Sequence, residues 1–83
     1  MRRFTSNARA RLLAVPGIGP TVIARLEQVG IATLRELASV STEEVVTRIA
    51  RHVGSTCWRN SPQAQRAIAA AIDMAREAAP PPS

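Results

Sequence analysis

The seven residues Val15–Thr21, with the sequence VPGIGPT, hold backbone groups that could bind an anion. Two prolines and two glycines interrupt a helical pattern here, which predicts a tight turn between two helices. In such a turn the amides of Gly17, Gly19 and Thr21 can converge, and the second helix adds the positive end of its dipole. Ile18 is expected to point inward and hold the turn against both helices. The plainer alternative is a corner that only joins two helices.

Five helices are expected to position this turn. Ser6 is a candidate N-cap of the first helix and Pro16 stops it, whereas Pro20 fits the first position of the second helix, which ends at Gly30. The starts of the third, fourth and fifth helices are marked by Thr33 or Ala32, by the capping box Ser41-Thr42-Glu43-Glu44, and by Ser61-Pro62, respectively. The predicted helices cover residues 7–14, 20–28, 33–38, from the capping box to Gly54, and from 62 to about 78.

Composition favours an all-α fold in one domain. The chain has 83 residues, 46% hydrophobic and 2% aromatic, so its core must be built from Ile, Leu, Val and Ala. Residues 1–6 are predicted to be a flexible basic arm whose Phe4 packs against the body, and 7–78 a single helical domain. Residues 79–83, ending in PPPS, are predicted to be a disordered proline-rich tail.

The charge balance points to a polyanion. All 11 basic residues are arginine, against six acidic residues, which gives a formal charge of +5. A GC-rich genome would explain the choice of arginine over lysine but not the excess of positive charge. No apolar run reaches the roughly 20 residues of a membrane span, and the basic start lacks the apolar core of a secretory signal. With its single cysteine, Cys57, the chain is expected to be cytoplasmic and to make no membrane contact.

The sequence offers no set of residues for catalysis. Without lysine, a Schiff base would need the terminal amine, and the six carboxylates and one histidine form no metal-binding or nucleophilic set. We therefore expect a protein that is not an enzyme, with no catalytic residue and no metal ligand. Trp58 is expected to cap the core rather than stack on an unpaired base, and Cys57 to be inert rather than reactive.

The stretch LLAVPGIGPTVIARLEQVGI, residues 12–31, resembles the helix-hairpin-helix motif of DNA-binding proteins, which would here span residues 7–29. The stretch GIATLRELASVSTEEVVTRI and the later SPQAQRAIAAAIDMARE resemble the small bacterial helix-hairpin-helix proteins of the pathogenicity-locus family, some of them described as mitomycin-resistance proteins. The resemblance implies a compact five-helix helix-hairpin-helix or SAM-like fold. It also implies non-sequence-specific binding to the phosphates of DNA, with a monovalent cation at the hairpin of some members as the only cofactor.

Two positions depart from these families. Thr21 stands where many hairpins have a lysine or arginine, and Ser61-Pro62-Gln63 stands where Asp-Pro-Cys is frequent. The second half of the chain also lacks a second Gly-x-Gly turn. A clamp made of two hairpins on both strands is therefore not expected.

The residues expected to bind phosphate are Gly17, Ile18, Gly19, Thr21, Val22 and Arg25, and the supporting basic residues are Arg9, Arg11, Arg48, Arg51 and Arg59. Two alternatives stay open: Arg25 could balance Glu27 or Glu36, and the arginines near the end of the fourth helix could stabilise its carbonyls. The expected partner is double-stranded DNA, in repair, damage resistance or uptake. The alternative function is a SAM-like protein-interaction adaptor with an acidic partner.

Overall fold

Five α-helices form the regular structure of residues 2–54 and 57–79, which are the residues that this computed structural model describes. They are α1 (Ser6–Leu13), α2 (Pro20–Gln28), α3 (Leu34–Ala38), α4 (Thr42–Val53) and α5 (Pro62–Ala78). The described ranges contain no strand, and the predicted all-α class with five helices is confirmed. Of the predicted tail, residues 80–83 lie outside the described residues.

Side-chain caps set the starts of four helices. The hydroxyl oxygens of Thr33, Ser41 and Ser61 accept the backbone N–H three residues on, at donor–acceptor distances of 3.0, 3.1 and 3.2 Å. The prediction for α1 was wrong by one residue. Thr5 is the N-cap, since its backbone is extended and its hydroxyl accepts the N–H of Ala8 at 3.2 Å, and Ser6 is already helical.

The core is almost wholly aliphatic, as predicted, and α5 lies at its centre. Helices α3 and α4 pack against α5, while α2 contacts α4 and α1. Leu12, Ile23, Leu26 and Ile68 are fully buried where these helices meet. Arg76 of α5 also donates hydrogen bonds to the carbonyls of Ala38, the last residue of α3, and of Val40, just after it, at 3.1 and 3.5 Å. The turn before α2 is therefore carried on a core that includes all five helices.

The segment before α1 contacts the body at two points. Phe4 is buried in the core, as predicted, and its N–H donates to the buried carboxylate of Glu27 at 2.9 Å. Arg2 makes two hydrogen bonds to the carboxylate of Glu36, at 2.7 and 2.9 Å. The flexibility predicted for residues 1–6 stays a prediction, but Arg2 has a defined partner that the sequence did not indicate.

Candidate functional site

The turn between α1 and α2 is closed by its own backbone. The N–H of Val15 donates to the carbonyl of Leu12 at 3.0 Å, and the N–H of Ile18 donates to the carbonyl of Val15 at 3.1 Å. The side chains of Val15 and Ile18 are buried, which confirms that Ile18 points inward. Because the Ile18 amide already has an acceptor, Ile18 fixes the shape of the turn and does not offer the amide donor that was predicted for it.

The two glycines of the turn have different roles. Gly17 has φ +86°, and a Cβ atom added there would lie 2.9 Å from the Cβ of Ala67 on α5. Its missing side chain therefore lets the turn pack against α5 in a left-handed conformation. Gly19 has an extended backbone, with φ −121° and ψ −178°, and an added Cβ atom would meet nothing within 4 Å. Its missing side chain leaves the beginning of α2 open.

The first turn of α2 presents backbone donors at this opening. Thr21 and Val22 occupy the second and third helical positions, where an N–H has no acceptor within its own helix. Gly19, the N-cap, has no side chain to accept them, and Pro20 has no N–H. The first backbone bond of the helix runs from the N–H of Ile23 to the carbonyl of Gly19 at 3.2 Å. Two donors and the positive end of the helix dipole thus meet at an open position.

The arginines expected near the turn are placed unequally. Arg11 lies exposed in the last turn of α1, and its side chain has no partner within residues 2–54 and 57–79. Arg25 donates to the side-chain oxygen of Gln28 at 2.9 Å, so its nearest partner is neutral and not Glu27 or Glu36. Gln28 is eight residues after Pro20, about 12 Å along the axis of α2, so the guanidinium of Arg25 is directed away from the turn.

Arg9 is directed away from the turn. One of its guanidinium nitrogens lies 3.8 Å from the carboxylate of Glu27. Glu27 is seven residues after Pro20, which corresponds to about 10 Å along the axis of α2. The charge of Arg9 thus faces a buried carboxylate near the end of α2 that is remote from the turn, and its supporting role stays a prediction.

The predicted cluster near the end of α4 is spread along the helix. Arg48 pairs with Glu44 one turn earlier, at 2.9 Å, and Arg51 is in the last turn. Arg59 lines a pocket together with Thr42, Glu43, Val46 and Thr47, all in the first half of α4. These arginines do not gather at the C-terminal carbonyls of α4.

A groove beside the turn contains residues whose role the sequence did not indicate. Its volume is about 700 Å³, and it lies between the turn and the first half of α5, with Gly17 and Val22 on one side and Arg66 and Ala67 on the other. Trp58 also lines it and packs against the core, as predicted for a core cap. Cys57, by contrast, is exposed. The close approach of Gly17 to Ala67 of α5, which is 50 residues away in the chain, places Arg66 near the turn.

The pair of Arg2 and Glu36 changes the charge available at the surface. The hydrogen bond from Arg2 lowers the pKa of Glu36, and the N–H of Ala32 and the hydroxyl of Thr33 act in the same direction. The same pair raises the pKa of Arg2. Because this arginine faces a carboxylate, a phosphate could use it only by displacing Glu36.

The match to a family model covers residues 5–78, which is nearly the whole chain and includes all five helices and the turn. The chain belongs to the DUF4332 family. That family is described as a domain of unknown function. Separate searches of curated proteins and of solved structures found no match to this DUF4332 domain.

Two further features of the DUF4332 domain concern side-chain clusters and helix length. In the ranges 2–54 and 57–79, no three His, Cys, Asp or Glu side chains are grouped so that they could hold a metal ion. No helix in these ranges has the length and apolar character needed to cross a membrane.

Proposed function

We propose that this DUF4332 domain binds double-stranded DNA through its phosphates, without sequence preference, at the turn between α1 and α2. The observation that carries the proposal is the beginning of α2. There the amides of Thr21 and Val22 lack helical acceptors, and Gly19 leaves them open to approach. A phosphate oxygen is an acceptor that fits both the donors and the helix dipole.

The charge of the chain supports the same partner. The formal charge is +5, and Arg11 has no carboxylate partner among the described residues. A duplex carries about one charge per 1.7 Å, so each arginine that neutralises a phosphate releases condensed counterions. Arg11, in the last turn of α1, is the supporting cation of the proposal, and Arg25 contributes to it only if its side chain releases Gln28.

The resemblance of residues 12–31 to the helix-hairpin-helix motif supports the same mode of binding. By that resemblance, a monovalent cation between the turn carbonyls and a phosphate is the one cofactor proposed, and repair, damage resistance or uptake of DNA in the bacterial cytoplasm is the process. The binding groups are amides and guanidinium groups, and none of them is a nucleophile or a general base. The proposed role is therefore binding and not catalysis.

A titration of fluorescently labelled duplex tests the proposal. At two or more salt concentrations, the logarithm of the binding constant should fall with the logarithm of salt with a slope of about 2–4, which reflects a few phosphates. Duplexes of shuffled sequence should bind within about tenfold of one another, since phosphate contacts carry no sequence information.

Polyglutamate of matched charge is the control for a general preference for acidic partners. The rival function, a SAM-like adaptor with an acidic protein partner, is favoured if polyglutamate binds as tightly as the duplex. A salt slope near zero for the duplex would overturn the DNA proposal.

A further inference from the structure

The groove between the turn and α5 has the size and lining of a binding site. Its volume of about 700 Å³ falls within the range of roughly 300–1,000 Å³ found for ligand pockets. Val22, Ala67 and Ile68 are among its apolar lining residues. The half-buried Trp58 adds an aromatic surface, which is the group on which planar rings stack.

The polar groups of the groove indicate the chemistry of its occupant. Among the described residues that line the groove, Arg66 is the one that is charged and none is a carboxylate. No side-chain partner of Arg66 occurs within residues 2–54 and 57–79 either. Ser61 and Gln63 supply uncharged donors and acceptors at the rim. An occupant that is planar, can form hydrogen bonds and is attached to an anion suits the aromatic ring, the uncharged polar side chains and the arginine of this groove. A nucleobase on a phosphate backbone has these properties.

The groove adjoins the open start of α2. Val22 lines the groove, and its amide is also one of the two donors at the helix start. Gly17, in the turn, forms part of the same wall. A phosphate held by these amides therefore lies next to a residue of the groove wall.

We infer that this groove holds an unpaired nucleobase of the bound DNA, stacked on Trp58 and flanked by Arg66. The inference rests on the proposed function, since it needs a phosphate at the start of α2. A base within an intact duplex is stacked between its neighbours and cannot enter. The domain therefore prefers duplexes that carry an unpaired nucleotide, such as a gap or an overhang.

Four DNA ligands of equal length test this preference: an intact duplex, a duplex with a one-nucleotide overhang, a duplex with a short gap, and the overhang with an abasic residue in place of its last base. We expect the overhang and the gap to bind about tenfold more tightly than the intact duplex. The abasic overhang should bind like the intact duplex, because it keeps the phosphate but not the base. Trp58 is the only tryptophan of the chain, so the tryptophan fluorescence reports on the groove. It should be quenched by the overhang and by the gapped duplex, but not by the intact duplex or the abasic overhang.

Two variants assign the preference to the groove. Trp58→Leu keeps an apolar side chain against the core, and Arg66→Gln removes the charge. Both should lose the preference for the overhang while their affinity for the intact duplex changes less than about threefold. Arg35→Gln is the matched control, since Arg35 is an exposed arginine that does not line the groove.

The outcomes separate this inference from the proposed function. If the intact duplex binds but the overhang with a base and the abasic overhang bind equally, the groove does not hold a base and the inference is wrong. If the intact duplex binds and every DNA leaves the fluorescence of Trp58 unchanged, the inference is also wrong, and an apolar peptide becomes the better occupant. If none of the four DNA ligands binds, the proposed function itself is overturned.

Discussion

Replacing Gly19 by valine tests the proposed phosphate site with little disturbance of the fold. The extended backbone at Gly19 suits a β-branched residue, and its added Cβ atom meets nothing within 4 Å. Gly19 is the N-cap of α2, and an N-cap side chain lies over the amides of the second and third helical positions. The two valine methyl groups would therefore cover the N–H groups of Thr21 and Val22.

The expected loss of affinity follows from those two donors. A hydrogen bond to a charged acceptor contributes about 1.5–3 kcal/mol, and about 1.4 kcal/mol corresponds to a tenfold change in Kd. Blocking one donor should therefore weaken duplex binding more than tenfold, and blocking both about a hundredfold or more. The cost to folding is smaller, up to about 1 kcal/mol, because valine is a poorer N-cap than glycine.

The assay combines fluorescence anisotropy with thermal unfolding. Gly19→Val should bind the duplex more weakly at every salt concentration, with an unchanged salt slope because no charge is removed. Gly19→Asn is the matched variant: its side-chain oxygen accepts from the amides of Thr21 or Val22, so binding falls while the Tm stays level or rises slightly. If either variant keeps its helical content and binds the duplex within about twofold of the parent, the start of α2 is not the phosphate site.

Three further predictions concern the fold that carries the site. Gly17→Ala should lower the Tm more than Gly30→Ala, because both glycines have positive φ, at +86° and +90°, but only the first substitution places a Cβ atom against α5. The positive φ alone costs roughly 1–2 kcal/mol, which corresponds to a Tm loss of about 4 °C or more in a domain of this size. Equal Tm losses for the two variants would contradict the packing of the turn on α5. The folded pKa of Glu36 lies below its ordinary value of 4.5, so its pairing with Arg2 stabilises the protein above that pH, and this stabilisation is lost as the pH falls through the lower folded pKa. In urea unfolding, Arg2→Gln should be less stable than the parent at about pH 7 but not at about pH 2. A difference in stability that persists in acid would contradict the pairing of Arg2 with Glu36. Glu27→Ala should reduce the free energy of unfolding by about 1–3 kcal/mol, because it leaves the N–H of the buried Phe4 without its acceptor. Glu27→Gln keeps a side-chain acceptor and should reduce the free energy of unfolding clearly less in the same urea titration.

The helices could be predicted from the sequence because their limits are set by local groups. Pro20 at the first position of α2 and the hydroxyl caps Ser41 and Ser61 act within four residues of their own position. The start of α1 was the exception, since Thr5 and Ser6 are adjacent and both can cap a helix. The buried Phe4, whose N–H is held by Glu27, fixes the path of the chain before the helix, and this contact spans 23 residues.

The site could be predicted only in its local part. The turn and the donors of Thr21 and Val22 follow from the order of prolines and glycines. The partners of the arginines do not, because Arg2 meets Glu36 and Arg9 meets Glu27 through tertiary packing. Arg66 was missed for the same reason. Its position beside the turn depends on how α5 crosses the hairpin, and a regular exposed helix face carries no sign of that crossing.

The two glycines of the turn differ in what the fold requires of them. Gly17 is needed by the fold itself, because its positive φ and its contact with α5 leave no room for a side chain. Gly19 has neither constraint: its backbone is extended and its surroundings are empty, so any residue except proline could stand there without backbone strain. Serine or asparagine would even cap α2 better. Folding therefore does not require a glycine at this N-cap. The glycine is explained if the amides of Thr21 and Val22 must stay accessible to a ligand, and this is the structural reason to place the phosphate there.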